Sequence, residues 1–203
     1  MDKLSTLLPS LILASGSVAR KALLESLGIS VQTYKTGCDE NHTESNPAKA
    51  SELLARRKLA AFRAVHPHYS LPTLSCDTMI FFDGALIGKP KDRQEAYEQL
   101  ALFDGRSHEV HSGWALWYQD QVISGSDCAV VTFKMLGREK INDYLATNEW
   151  KGAAGSYRIQ GEGRSLIHTI SGDEATVIGL PLLQISEILG APLFKQQQGN
   201  LHP

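Results

Sequence analysis

Leu74-Ser75-Cys76-Asp77-Thr78-Met79-Ile80-Phe81-Phe82, followed at once by Asp83-Gly84, is the stretch on which the fold turns. Its apolar and β-prone residues read as a buried strand. Asp-Gly after such a run is a strong two-residue hairpin signal of type I′, and Ala85 to Lys89 is the returning strand. Asp77 interrupts the run. A carboxylate in a buried strand loses hydration and must gain a cation, a metal or several N–H donors. The return strand ends in Gly88-Lys89-Pro90-Lys91, so a cation is near in sequence. An ideal hairpin sets Thr78 opposite Lys89 and puts Asp77 on the other face. A direct Asp77–Lys89 pair therefore needs twist at the strand end, or a lysine that reaches round it. The plainer reading is a structural aspartate bonded to backbone donors.

Upstream, Leu11 to Ala14 reads as a short strand and Ser15-Gly16-Ser17 as a turn. Ser17 caps a helix through Leu27 that Gly28 stops. Ile29 to Tyr34 reads as a strand, and Gly37 to Ser45 as a polar loop carrying Cys38-Asp39-Glu40. Asn46-Pro47 opens a long helix to about Val65, with Leu54, Lys58, Ala61 and Val65 on the inward stripe.

Downstream, Asp92 and Glu95 form a capping box for a helix ending near Leu102. His108 to Tyr118, Val122 to Ser124, Asp127 to Met135 and Leu166 to Ile170 read as strands. Lys140 to Ala146 is a short helix, and Leu180-Pro181 leads into a last one ending near Leu189. Asn148 to Gly163 is a glycine-rich loop in which Tyr157 to Gln160 is a further strand candidate. Interleaved helices and strands with hairpins predict an α/β fold, a mixed twisted sheet with flanking helices. Residues 1–194 read as a single domain, and the polar tail 195–203 as frayed.

The bulk numbers narrow the function. With 20 basic and 22 acidic residues among 203, the net charge of −2 opposes a general nucleic-acid binder. It leaves room for a small anion held by a few local cations. Three widely spaced cysteines without a CxxC pair indicate neither a disulfide framework nor a zinc site. No apolar run approaches a membrane span, and no secretory signal precedes the first strand, so a cytoplasmic protein is expected.

Several residues could carry chemistry. Ser15, Ser17 and Arg20 surround a helix N-terminus, whose open N–H groups and dipole favour an anion; the commoner reading of such a start is an ordinary capped helix with a solvated arginine. The GK[ST] of a P-loop is missing. Glu40 could hold a divalent metal or sit in a solvated acidic turn, and Lys58, facing inward, would be a point charge beside a polyphosphate or would snorkel to solvent. Gln160 could read a base edge through its amide. His108-Glu109-Val110-His111 is not HExxH, and alternation sends its histidines to opposite faces; both read as structural or surface residues.

Taken in order, Leu11-Ile-Leu-Ala-Ser-Gly-Ser17 with Arg20, Leu23-Leu24, Asp39-Glu40, Ala55 with Lys58, Asp77-Thr78, Gly88-Lys89-Pro90, Gly105 to Val110, Ala154-Gly155, Ile159-Gln160-Gly161 and Gly179-Leu180-Pro181 resemble the Maf family of nucleoside triphosphate pyrophosphatases. The resemblance spans about residues 10–190. It implies two lobes around a central cleft, often a homodimer, and cleavage between the α and β phosphates with Mg²⁺ or Mn²⁺. It implies Asp77 as proton acceptor, with Glu40, Lys58 and Lys89 around phosphate and metal. Thr78 and Gln160 match the base-selecting residues of the dTTP/UTP type. One departure stands out. Where the family reads Ser-x-Ser-Pro-Arg-Arg, this chain has Ser15-Gly16-Ser17-Val18-Ala19-Arg20, so only the second arginine survives. The rival expectation is a non-catalytic nucleotide-binding regulator linked to cell division.

Overall fold

The computed structural model describes residues 3–190; the tail 195–203 lies outside them. The elements run α1 (Leu4–Leu7), β1 (Ser10–Leu13), α2 (Val18–Ser26), β2 (Ser30–Thr33), α3 (Pro47–Val65), β3 (Thr73–Phe82) and β4 (Ala85–Ile87). Then follow α4 (Arg93–Phe103), β5 (Ser107–Tyr118), β6 (Gln121–Phe133), α5 (Gly137–Ala146), two 3₁₀ turns, β7 (Ile167–Ser171), α6 (Glu174–Ile178) and α7 (Leu182–Ile188). Seven strands make one sheet in the order β2-β1-β3-β5-β6-β7, with β4 also on β3. β1 is parallel to β2 and β3, and the other pairs are antiparallel, so the sheet is mixed.

Local chemistry explains most of the boundaries. Ser17 and Asn46 accept backbone N–H bonds three residues on, from Arg20 and Lys49. Asp83 and Gly84 take φ of 52° and 84°, the left-handed pair that a two-residue hairpin requires. Asp92 caps α4 through Glu95 N, but the Glu95 carboxylate accepts from Lys91 N instead of closing the reciprocal box.

Three expectations are corrected. Val122–Ser124 and Asp127–Met135 are one strand, because Gly125 and Ser126 stay in the ladder opposite Trp114 and Gly113. A Cβ on Gly125 would meet the Trp114 ring at 3.3 Å, so this glycine marks a close approach and not a turn. Tyr157 to Gln160 is no strand; Tyr157 is buried against Phe103, His108 and Phe133. On α3 the buried face runs through Ser51, Leu54, Ala55, Leu59 and Phe62, whereas Val65 is 64% exposed. Phe62 ends that face because it packs into Tyr34, His66 and Tyr69.

Two apolar cores form along the same long strands. One gathers Leu11, Leu13, Leu74, Cys76, Trp114, Leu116 and Leu180. The other gathers Ile80, Phe82, Phe103, Val110, Val131, Phe133 and Tyr157. Between them lies a waist of small and polar residues, with Asp77 paired to Gly113 and Thr78 to Ser112. The two lobes of the fold meet there.

Candidate active site

An opening in the sheet creates the site. β1 reaches along β3 only to Leu13↔Leu74, and β4 rejoins the same edge at Ile80↔Ile87. Between these points Ser75 to Met79 have β5 on one side, and the other edge is open among the described residues. The Ser15–Ser17 turn and the start of α2 face this gap.

Asp77 lies on the face covered by α3. Ser75 Oγ donates to Ala55 O at 2.7 Å, pinning the helix to the strand two residues away. Gly113, opposite Asp77, lets α3 come close: a Cβ there would collide with the Ser51 and Glu52 backbone. Only glycine leaves room for this contact. The packing brings Lys58 to Asp77. Its ammonium donates to Asp77 Oδ1 and sits 3.0 Å from Glu40 Oε1. The Lys58 and Asp77 side chains are 15% and 13% exposed. Burial alone would lower the Lys58 pKa, but the Asp77 charge and the contacts with Asp77 and Glu40 outweigh it and hold the pKa above its ordinary value. Glu40 is held below the usual carboxylate range, chiefly by the Lys58 contact against a burial cost, with smaller help from the charges of Lys58 and Lys89. Burial, partly offset by Lys58, raises the Cys38 thiol, which stays protonated near neutrality.

A second network occupies the opposite face. Arg20 donates from Nε to Gly179 O at 2.8 Å, from Nη1 to Ser15 Oγ and Cys76 O at 3.1 and 3.0 Å, and from Nη2 to Thr78 Oγ1 at 2.9 Å. Thr78 Oγ1 also meets Ser112 Oγ at 2.9 Å, and Ser112 donates to Thr176 O. Gly179 has φ 103°, and a Cβ there would stand 2.6 Å from Thr78 Oγ1. It must be glycine on both counts.

The predicted residues thus fall into three groups. Glu40, Lys58 and Asp77 converge, with Lys89 exposed but within electrostatic reach of Glu40. Ser15, Ser17, Arg20 and Thr78 form the second network, joined to the first through the Cys76–Thr78 segment. Gln160 stands exposed in a turn outside both. The partner of Asp77, open in the sequence between a cation, a metal and N–H donors, is a cation: Lys58, nineteen residues upstream, while the hairpin register keeps Lys89 off that face. Gly113, Ser75, Ser112 and Gly179 were missed as site residues. A lone glycine inside an otherwise apolar strand was the available signal for Gly113.

The oxygen donors of Glu40 and Asp77 suit a hard divalent cation, which typically takes one or two carboxylates and completes its shell with phosphate and water. Both carboxylates already converge on a single cationic atom, Lys58 Nζ, so their spacing fits such a group.

This is an α/β protein with a lobed waist that sets two carboxylates, a shared lysine and a helix N-terminus around one opening in its sheet. The chain belongs to the Maf family: the model of the Maf-like protein matches residues 10–191. Similar proteins include one of Symbiobacterium thermophilum, 41% identical over 189 residues, covering 91% of this chain and 96% of that one. Another, of Bacillus cytotoxicus, is 38% identical and covers 86% of this chain and 91% of the relative. A third, of Thermus thermophilus, is 37% identical and covers 92% and 97% respectively. Each is named dTTP/UTP pyrophosphatase. Among the described residues no helix is long and apolar enough to cross a membrane.

Proposed function

We propose that this chain is a nucleoside triphosphate pyrophosphatase of the dTTP/UTP class. It cleaves the α–β phosphate bond and releases a nucleoside monophosphate and pyrophosphate. The relatives' names support the reaction, and the convergence of Glu40 and Asp77 on Lys58 at the sheet opening is the observation that carries it.

A triphosphate brings several negative charges into the waist. Lys58, Lys89 and the first-turn amides of α2 offset them where water is partly excluded. Arg20 adds its charge, but four of its N–H bonds already go to protein oxygens. Its role is to fix the Ser15 turn against β3 and α6, so that the anion meets a set geometry.

Lys58 takes Asp77 Oδ1, which leaves Oδ2 for a second partner. That oxygen accepts a proton from the water attacking the α phosphorus, and the pyrophosphate departs on the far side. Glu40 and Asp77 would hold a divalent Mg²⁺ or Mn²⁺, which supplies charge neutralisation and polarises phosphoryl oxygens when bound. Thr78 keeps the Arg20 network closed beneath the substrate, and Gln160, exposed in its turn, is assigned the base edge through its amide.

Asp77→Asn tests the assignment. It keeps an acceptor for Lys58 but no longer takes a proton, so turnover falls by roughly a thousandfold or more while fold and nucleotide binding persist. Near-wild-type pyrophosphate release across a nucleotide panel would remove Asp77 from the chemistry. Orthophosphate as the sole product would replace the reaction.

A further inference from the structure

We propose that Glu109, His111 and Cys128 form a second metal site, selective for a borderline transition-metal ion such as Zn²⁺, on the sheet face that carries Asp77. From sequence His111 reads as a structural or surface residue facing away from His108, and the register keeps it on that opposite face and shows what stands beside it there. His111 and Cys128 are directly paired across β5 and β6, and Glu109 lies two residues before His111 on the same face. One ligand atom from each lies within 4.8 Å of the others. Nothing in this proposal depends on the catalytic reading.

The ring of His111 is the fixed point. Its side chain is 9% exposed, and Nδ1 is buried without a hydrogen-bond partner. The imidazole therefore works through Nε2 alone. That atom lies 2.6 Å from Glu109 Oε2 and 3.6 Å from Cys128 Sγ. Zn–N and Zn–S bonds at a tetrahedral angle place nitrogen and sulfur about 3.6 Å apart. The nitrogen–sulfur pair is already at that spacing. The carboxylate, on a half-exposed side chain, needs to withdraw by under about 1 Å for the ion to enter.

The donor set decides the ion. An imidazole, a thiol and one carboxylate suit zinc, cobalt or nickel and not Mg²⁺ or Mn²⁺. The oxygen-only pair Glu40 and Asp77 has the reverse preference. Two neighbouring carboxylates, Glu109 and Asp127, add to burial in pushing the Cys128 thiol up to about 11. The same negative field favours a cation, and coordination sends the thiol proton to solvent. Cys128 is exposed, so an ion enters directly. Three protein ligands leave a fourth position open. The His111–Cys128 row lies about 7 Å along the strand from the Asp77–Gly113 row.

The test is a Co²⁺ titration of the full chain without nucleotide, read by absorption. The expected result is a thiolate-to-cobalt charge-transfer band that saturates at a single equivalent and is displaced by Zn²⁺. Cys128→Ser, conservative at an exposed position, should abolish the band. His111→Ala should weaken Co²⁺ binding by about 100-fold or more, beyond what loss of an outer-shell partner causes. Cys38→Ser and Asp77→Asn should keep the band, which separates this site from the catalytic one. No charge-transfer band, a band surviving in Cys128→Ser, or its loss in Cys38→Ser would each overturn the proposal.

Discussion

Lys58 is the residue on which the site is balanced. It is mostly buried, its ammonium joins two carboxylates, and its pKa is held up by them. In the absence of nucleotide this ammonium and a divalent ion would compete for the same oxygens. Replacing it with methionine keeps the stem and removes the charge. Lys58→Met is expected to tighten Mn²⁺ binding to the nucleotide-free protein by about tenfold, roughly one charge–charge contact of ~1.4 kcal/mol. Turnover should fall at the same time, because the phosphates lose their nearest cation. Isothermal titration beside a pyrophosphate assay separates the two effects. Weaker Mn²⁺ binding in the variant would mean that Glu40 and Asp77 are not the ligands.

At the scale of elements, the contact between α3 and β5 sets the geometry. Gly113 permits it, and Ser75 Oγ with Ala55 O locks it. Arg20 does the matching task on the other face, tying α2 to β3 and to the end of α6. Gly113→Ala must push the Ser51 backbone away and carry Lys58 with it. The expected cost is about 1–3 kcal/mol of stability or more, with turnover lost beyond what unfolding explains. Gly125→Ala is the control. It crowds side-chain ends, Gln184 Oε1 at 3.1 Å and the Trp114 ring at 3.3 Å, away from Asp77, so it should lose stability and keep activity. Urea midpoints and pyrophosphate release on the folded fraction decide between them. Equal activity in both variants would detach the α3 contact from catalysis.

Across the whole molecule, the second core carries a pH dependence. His108 is 2% exposed, stacks on Phe103 at 4.2 Å and meets the Tyr157 hydroxyl at 2.8 Å. Burial lowers its pKa from 6.5 to about 4. The unfolded chain takes up a proton below about 6.5, and the folded one does not until about 4. The contribution is therefore full above 6.5 and lost as pH falls through that window, about 3 kcal/mol in all. Urea midpoints from pH 7.5 to 4.5 should fall accordingly. The double variant His108→Phe, Tyr157→Phe should have a flatter profile, and an unchanged slope would place the acid sensitivity elsewhere.

The local signals were sufficient for much of this. Caps at Ser17, Asn46 and Asp92, the Asp83-Gly84 turn and the period-2 strands act over a few residues, so their physics is written in neighbouring letters. Charge in an otherwise apolar strand also announced that Asp77 needed a partner. Which partner it took was a tertiary matter. Lys58 prevailed over Lys89 because α3 lies against Gly113, and hairpin register alone turned Lys89 away. The same holds for Thr78 and Arg20 behind the strand, for Gly125 kept within the ladder, and for His111 facing Cys128. Burial and approach distance depend on what the rest of the chain brings to a residue, and periodicity carries no record of that.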